Sequence, residues 1–453
     1  MHSHLRRSIL ALVVAASVLA FLACRGEDPA SRPATRTAPV RIVLGWSGDA
    51  ATSRAVTWRT AAPAATPRAQ IGVASTTGEG TVGPPATVPA TPRTIRLDDG
   101  RSVTHYRAEF TGLRPATSYA YRVGDATSFS AWHRFTTASA EAAPFRFIYL
   151  GDAQNGLSDK WPPVVRAAFE AAPDARFVVH AGDLLAEGYD DSLWGAWLAG
   201  MGEHATGIPN LPVPGNHDLH RSPFVDASGS VLTASALWNA HFALPANGPS
   251  ELNDLAGQNY YVDYQGVRIV ALDVNAFANE DFVATDRTRV RQAQAIWLRQ
   301  VLAGNPNRWT IVVRHQPIYS VVKSRDFAEM RAVLGSIYDQ YHVDLVLQGH
   351  DHVYARTHKV YGGRLTDRSA SGTIYVISVS GSKMYGITNT REPLMAAMRE
   401  NTQLYQVVSV SDERLSCESR AANGTLADAF DLVKTAGRTS VYVNRVPSAN
   451  RTR

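Results

Sequence analysis

Five apolar runs between residues 145 and 350 each end on a polar cluster, and this repeated ending constrains the chain more than any other feature. FIYLGDAQ delivers Asp152 and Gln154, FVVHAGDLL delivers Asp183, and LPVPGNHD delivers Asn216, His217 and Asp218. IVVRHQP delivers His315, and DLVLQGHDH delivers His350 and His352. Between the runs lie stretches of helical spacing at 160–172, 191–202, 287–303 and 325–340. In the third of these, Ala295, Leu298 and Leu302 share one face, suited to packing on a sheet. Strand–helix alternation of this kind predicts an α/β fold. Segments 373–381, 404–413 and 428–434 return to strands, so the expected architecture is two stacked sheets with helices outside. Ligands of such folds bind beyond the carboxyl ends of strands, and five endings of this type would converge on one crevice. Gly151, Gly182, Gly215 and Gly349 stand where sharp turns would aim the following side chains inward.

Each cluster taken alone is a weak signal. A Gly-Asp after a strand is commonly a turn, and a single histidine is commonly a satisfied polar residue. His350-x-His352 is more specific, because alternate residues of an extended segment point the same way. Together the clusters offer imidazole, carboxylate and amide oxygen. Imidazole suits Zn, Fe or Mn, and carboxylate suits harder divalent ions. The donors exceed what one four-coordinate ion needs. A bridging carboxylate would hold two ions roughly 3.5 Å apart, as two-metal hydrolases require.

The rest of the chain divides into other kinds of segment. Residues 40–138 alternate apolar and polar positions at period two and predict an all-β domain, with the Thr/Pro/Gly-rich stretch 76–95 as a long surface loop. Within it, Leu113 to Tyr121 resembles the tyrosine corner of fibronectin type III sandwiches. Residues 1–23 combine a basic start, Arg6-Arg7, with an apolar run too short for a comfortable membrane span, and predict a signal peptide. FLAC at 21–24 resembles a bacterial lipobox, which implies lipidation of Cys24, membrane attachment by that lipid and a place in the cell envelope. Residues 24–39 read as a Pro/Ala/Thr-rich tether, and 436–453 as a tail without core signal. With Cys24 used for targeting, Cys417 has no partner within the chain and reads as a packed small residue. A net charge of +5 without any Lys/Arg-rich run argues against nucleic-acid binding.

The order GD, GD, GNHD, VxxH, GHxH resembles the calcineurin-like metallophosphoesterases. With the fibronectin-like domain in front, residues 40–434 look most similar to purple acid phosphatases of the bacterial branch. The resemblance implies a four-layer sandwich at 144–435 and an enzyme acting on small phosphate esters through two divalent ions, Fe, Zn or Mn; the leader at 1–23 predicts that it is exported. It implies that Asp183 bridges the ions and that Asp152 and His352 complete one site. Asn216, His315 and His350 would complete the other. His217 matches the family's general acid and Asp218 its orienting carboxylate.

Two departures from the family pattern matter. Ala186 stands where a purple acid phosphatase has its tyrosinate ligand, and Tyr189 is three residues too late. Gln154 stands where many metallophosphoesterases have a histidine, and is expected to lend an amide oxygen. Without the tyrosinate, charge balance implies two divalent ions rather than a coloured ferric centre. His220, Tyr354 and Arg356 flank the motifs and are candidate substrate contacts. Lys383 is a further candidate to approach the crevice, and 219–259, with Trp238, Phe242 and Asn259, a candidate pocket wall. His180 reads as a packed supporting residue. The sequence leaves open a phosphodiesterase or phospholipase on the same centre, and an adhesion module with a vestigial site.

Overall fold

The computed structural model describes residues 38–219, 234–278, 284–391, 393–435 and 437–445. Cys24 with the whole leader, and His220, lie outside the described residues. Among the described residues no helix is long and apolar enough to cross a membrane.

The period-two segments near the start form eight antiparallel strands. They are β1 (Val40–Gly45), β2 (Arg54–Thr60), β3 (Arg68–Val73), β4 (Ala86–Pro89), β5 (Thr91–Arg96), β6 (Ser102–Phe110), β7 (Ser118–Gly124) and β8 (His133–Thr136). Two four-stranded sheets, β1-β2-β6-β5 and β4-β3-β7-β8, enclose Trp58, Tyr106, Phe110, Tyr121 and Phe135. The corner is built as the sequence suggests: the backbone N–H of Arg114 donates to the Tyr119 hydroxyl at 2.9 Å. The stretch 76–95 is not one loop, since β4 and most of β5 lie within it. Both are edge strands, where Pro89 and Pro92 remove no ladder bond that the sheet needs.

The second domain opens with β9 (Phe145–Leu150), β10 (Val178–His180), β11 (Asn210–Pro212), β12 (Tyr260–Tyr264), β13 (Val267–Ala271), β14 (Trp309–Val313) and β15 (Leu345–Gln348). It continues with β16 (Tyr354–Thr357), the short pair β17 (Val360–Tyr361) and β18 (Arg364–Leu365), β19 (Ile374–Ile377) and β20 (Met395–Arg399). The chain closes with β21 (Leu404–Val410), β22 (Arg414–Ala421), β23 (Leu426–Val433) and β24 (Val441–Asn444). One seven-stranded sheet runs β11-β10-β9-β21-β22-β23-β24 and the other β12-β13-β14-β15-β19-β16-β20. Strands β9 to β11 are mutually parallel, as are β13, β14, β15 and β19. Being covered on both faces, these strands are mostly apolar, with Arg146, His180, Asn210, Arg268, Thr310 and Gln348 as their polar exceptions. Ile311, Val313, Leu345 and Leu347 point between the sheets, while Val312 and Val346 meet Leu298, Leu302 and Leu334 of the outer helices. Helices Trp161–Ala171 and Asp191–Met201 add their buried faces to the larger core. The predicted 325–340 helix is three pieces, Ala328–Met330, a π-helical turn Arg331–Gly335, and Ser336–Gln340.

The tail is corrected in part. Residues 441–444 pair with β23 as an edge strand, and Tyr442 is buried. The two domains are pinned together by Arg41 and Arg59, which meet Asp191 at 2.5 and 2.6 Å, and by Trp46, which packs against Phe177 and Tyr264.

Candidate metal centre

The loops after β9, β10, β11, β14 and β15 meet at one edge of the paired sheets, tied by backbone bonds such as Asp152 N–H to Gly182 O and Gly349 N–H to His315 O. Four expected ligands sit in the left-handed region: Asp152 (φ 52°), Asp183 (φ 49°), His350 (φ 75°) and His352 (φ 51°). Such backbones cost a non-glycine residue about 1–3 kcal/mol each and cluster at functional sites. Of the four turn glycines only Gly182 has positive φ. At Gly215 and Gly349 the requirement is space, because a Cβ would lie 2.1 Å from Asp183 Oδ1 and 2.6 Å from Asp152 Oδ2.

Two ligand clusters result, Asp183–His315–His350 and Asp152–Asp183–His352, sharing Asp183, with the ligand atoms of each within 4.8 Å of one another. His315 Nε2 lies 3.2 Å from Asp183 Oδ2 and 3.2 Å from His350 Nδ1. His352 Nε2 lies 3.7 Å from Asp152 Oδ1. Backbone carbonyls orient the rings: Nδ1 of His315 bonds Ala181 O at 2.7 Å, and Nδ1 of His352 bonds Lys383 O at 3.0 Å. Each bond leaves Nε2 directed at the nest, the usual support for a metal-binding histidine. Gln154 is turned so that Nε2 donates to Asp183 Oδ2 at 2.8 Å, while Oε1, the expected ligand atom, is buried with no partner. Asn216 Oδ1 is likewise buried and unpartnered. Two open amide acceptors beside three imidazoles and two carboxylates fit a pair of divalent cations, since buried polar atoms are otherwise nearly always bonded.

Electrostatics point the same way. Burial pushes the Asp152 carboxyl well up, and Asp183 adds to that push. Burial also pushes Asp183 upward, but the charge and hydrogen bond of His315 outweigh it and hold the carboxyl low. His315 rises in return to about 9, against its own desolvation. Desolvation pushes His350 far down and His352 to about 3.

Several expected roles are corrected. Asp218 does not touch His217 by any hydrogen bond. It accepts backbone N–H bonds from Gly215 at 2.8 Å and Leu184 at 3.1 Å, stapling two site loops. Burial, with Asp183 nearby, pushes its carboxyl up to about 8. His217 is oriented instead by the carbonyl of Ala186, 2.7 Å from Nδ1, and its backbone N–H donates to Asp183 Oδ1 at 2.9 Å. Tyr354 and Arg356 are not at the site. As alternate residues of β16 they point together across the sheets to Asp428, which accepts from the Tyr354 hydroxyl at 2.7 Å and from Arg356 Nη2 at 2.9 Å. Trp238 and Phe242 are core residues packed on Trp194, Phe242 lining a cavity with Thr57 and His105 of the first domain, and Asn259 bonds the backbone of Asp273, so none of the three is seen at the metal nest; residues 220–233 of that segment lie outside the described residues. His180 is buried against Asn210, as the sequence suggested. The sequence carried no signal for the backbone carbonyls of Ala181, Ala186 and Lys383, because any residue supplies one.

Known proteins resemble this chain in sequence and fold. Residues 39–137 match the purple acid phosphatase N-terminal domain, and residues 145–354 match the calcineurin-like phosphoesterase domain. Purple acid phosphatase 23 of Arabidopsis thaliana is 26% identical over 308 residues, covering 60% of this chain and 61% of that protein. An uncharacterized protein of Mycobacterium tuberculosis is 26% identical over 356 residues, covering 72% and 63% respectively. The chain thus spans less than two thirds of the length of these curated relatives. Among solved structures, purple acid phosphatase PPD1 from yellow lupin seeds superposes with a TM-score of 0.70 at 19% identity, covering 87% of this chain and 74% of that one. PhoD gives 0.64 at 12% identity, covering 92% and 94%. With both matches in sequence order and the metal nest at the strand ends, the chain carries a calcineurin-like phosphoesterase domain behind a domain similar to the purple acid phosphatase N-terminal domain.

Proposed function

We propose that this chain is an exported phosphomonoesterase acting on small phosphate esters with two divalent ions. The observation that carries the reading is Asp183, shared between two ligand clusters and flanked by the open acceptors of Gln154 and Asn216. When bound, the ions would supply Lewis acidity toward a phosphoryl oxygen and a water of lowered pKa. Asp152, Gln154, Asp183 and His352 would hold one ion, and Asp183, Asn216, His315 and His350 the other. A half-turn of the Gln154 amide exchanges Nε2 for Oε1 at the nest.

His217 is the proton donor. Its Nδ1 is committed to Ala186 O, so Nε2 is the nitrogen that protonates the leaving alkoxide as the phosphorus–oxygen bond breaks. Asp218 acts by fixing the loops that carry Asp183 and His217. Fe, Zn and Mn all suit the donors. Ala186 provides no phenolate, so the loaded protein is expected to be colourless. Export, and anchoring through Cys24, rest on the leader sequence.

The test is elemental analysis of purified protein together with hydrolysis of mono- and bis-nitrophenyl phosphate. Stoichiometric divalent metal and preference for the monoester support the reading. Preference for the bis-ester would transfer it to a phosphodiesterase, and a visible charge-transfer band with stoichiometric iron would contradict the divalent centre.

A further inference from the structure

We infer that Lys383 and Arg325, both seated on the ring of Tyr385, form a cationic lip beside the metal nest that selects phosphomonoesters whose organic half carries a second anionic group. This rests on the phosphomonoesterase reading and adds a substrate class to it.

The lip is tied to the nest by short links. The Tyr385 ring stands edge-on to His352, with centroids 4.8 Å apart. The Lys383 carbonyl bonds His352 Nδ1 at 3.0 Å, and the Tyr385 N–H donates to His352 O at 3.2 Å, so this loop cannot drift from the site. Lys383 Nζ lies 5.5 Å and the Arg325 guanidinium carbon 5.0 Å from the Tyr385 centroid. Arg325 is anchored by the His350 carbonyl and lies 3.4 Å from Asp351 Oδ1. Both cations are only partly exposed.

Charge is left over at this lip. Contact with an aromatic face positions a cation without neutralising it. Lys383 makes no ion pair among the described residues. Arg325 is paired with the buried carboxylate of Asp351, so the uncompensated charge at the lip is that of Lys383, with the guanidinium fork of Arg325 as a second donor. With the scissile phosphate at the nest, the organic half of a substrate leaving on this side meets a lysine point charge and a guanidinium fork, both suited to carboxylate or phosphate.

The test compares glycerol 1-phosphate with 3-phosphoglycerate and propane-1,3-diol bisphosphate, all primary alkyl esters, on the metal-loaded protein and its Lys383→Gln and Lys383→Glu variants. The wild type is expected to favour a charged ester in kcat/KM by at least about threefold at low salt. That preference should vanish in K383Q, invert in K383E and shrink as salt is raised. An equilibrium arm uses non-hydrolysable probes: phosphonoacetate should bind more tightly than ethylphosphonate to the wild type but equally to K383Q by calorimetry. A variant that does not fold leaves the wild-type salt series to decide. Esters hydrolysed with the same relative rates whatever the salt or the residue at 383 overturn the lip alone. Loaded protein that hydrolyses none of the three overturns the phosphatase reading beneath it.

Discussion

The metal nest and the Arg356–Asp428 cluster are both buried, both charged, and both reached from the single segment GHDHVYAR, yet their hydrogen bonds close differently. Around Arg356 the guanidinium meets both oxygens of Asp428 and the Tyr442 hydroxyl, Tyr354 adds its own hydroxyl, and no residue of β16 has a positive φ. In the nest, Gln154 Oε1 and Asn216 Oδ1 have no partner and four ligands occupy strained backbones. Burial of charge is therefore not the mark of function here. Open acceptors on a strained frame are, because only a bound group offsets their cost.

Mutation should separate the two clusters. The largest effect on chemistry is expected from His217→Ala, which should slow esters with poor leaving groups by about 10²–10⁴ while sparing nitrophenyl esters. Equal loss on both, in steady-state kinetics, would remove the proton-donor role. Asp428→Ala leaves a buried guanidinium unpaired and should cost about 3–5 kcal/mol, read as a lowered urea midpoint, with metal content unchanged in the folded protein. Loss of metal without loss of stability would erase the contrast between the clusters. Gln154→Ala should weaken metal binding by about 10–100-fold in a chelator competition, the range for groups that support or complete a site.

A titration sharpens the comparison further. Against its own desolvation, the charge and hydrogen bond of Asp183 push His315 up to about 9, so the ion held by His315 and His350 must displace its proton when it enters at lower pH. Metal affinity should then rise about tenfold per pH unit for each proton displaced, flattening above about 9. Asp152, whose carboxyl is also pushed up, adds to the slope in the same direction. A flat profile between pH 6 and pH 8 would show that His315 is already neutral. The Arg356 pair should give no such slope, since Asp428 keeps its partner charged and is itself held low by it.

The nest was legible in the sequence because parallel strands put their carboxyl ends on one edge, so ligands far apart in the chain needed only the strand pattern to be gathered. The outer helix face with Leu298 and Leu302 followed equally from periodicity. What stayed hidden depends on pairing that no local pattern encodes. Tyr354 and Arg356 sit beside a ligand motif, and their real partner is Asp428, more than seventy residues on and in the other sheet. Asp218 follows His217 and seemed its natural support, but a sharp turn sends its carboxylate to the backbone of Gly215 and Leu184. In the first domain, Thr/Pro composition concealed β4 and β5 because edge strands tolerate it.

The central claim is that Asp183 is shared by two cations, and metal stoichiometry of the wild type against Asp183→Asn tests it most directly. The account predicts two divalent ions per wild-type chain and at most one in a folded variant. The same two ions in Asp183→Asn, or less than one in the wild type after loading, would contradict it.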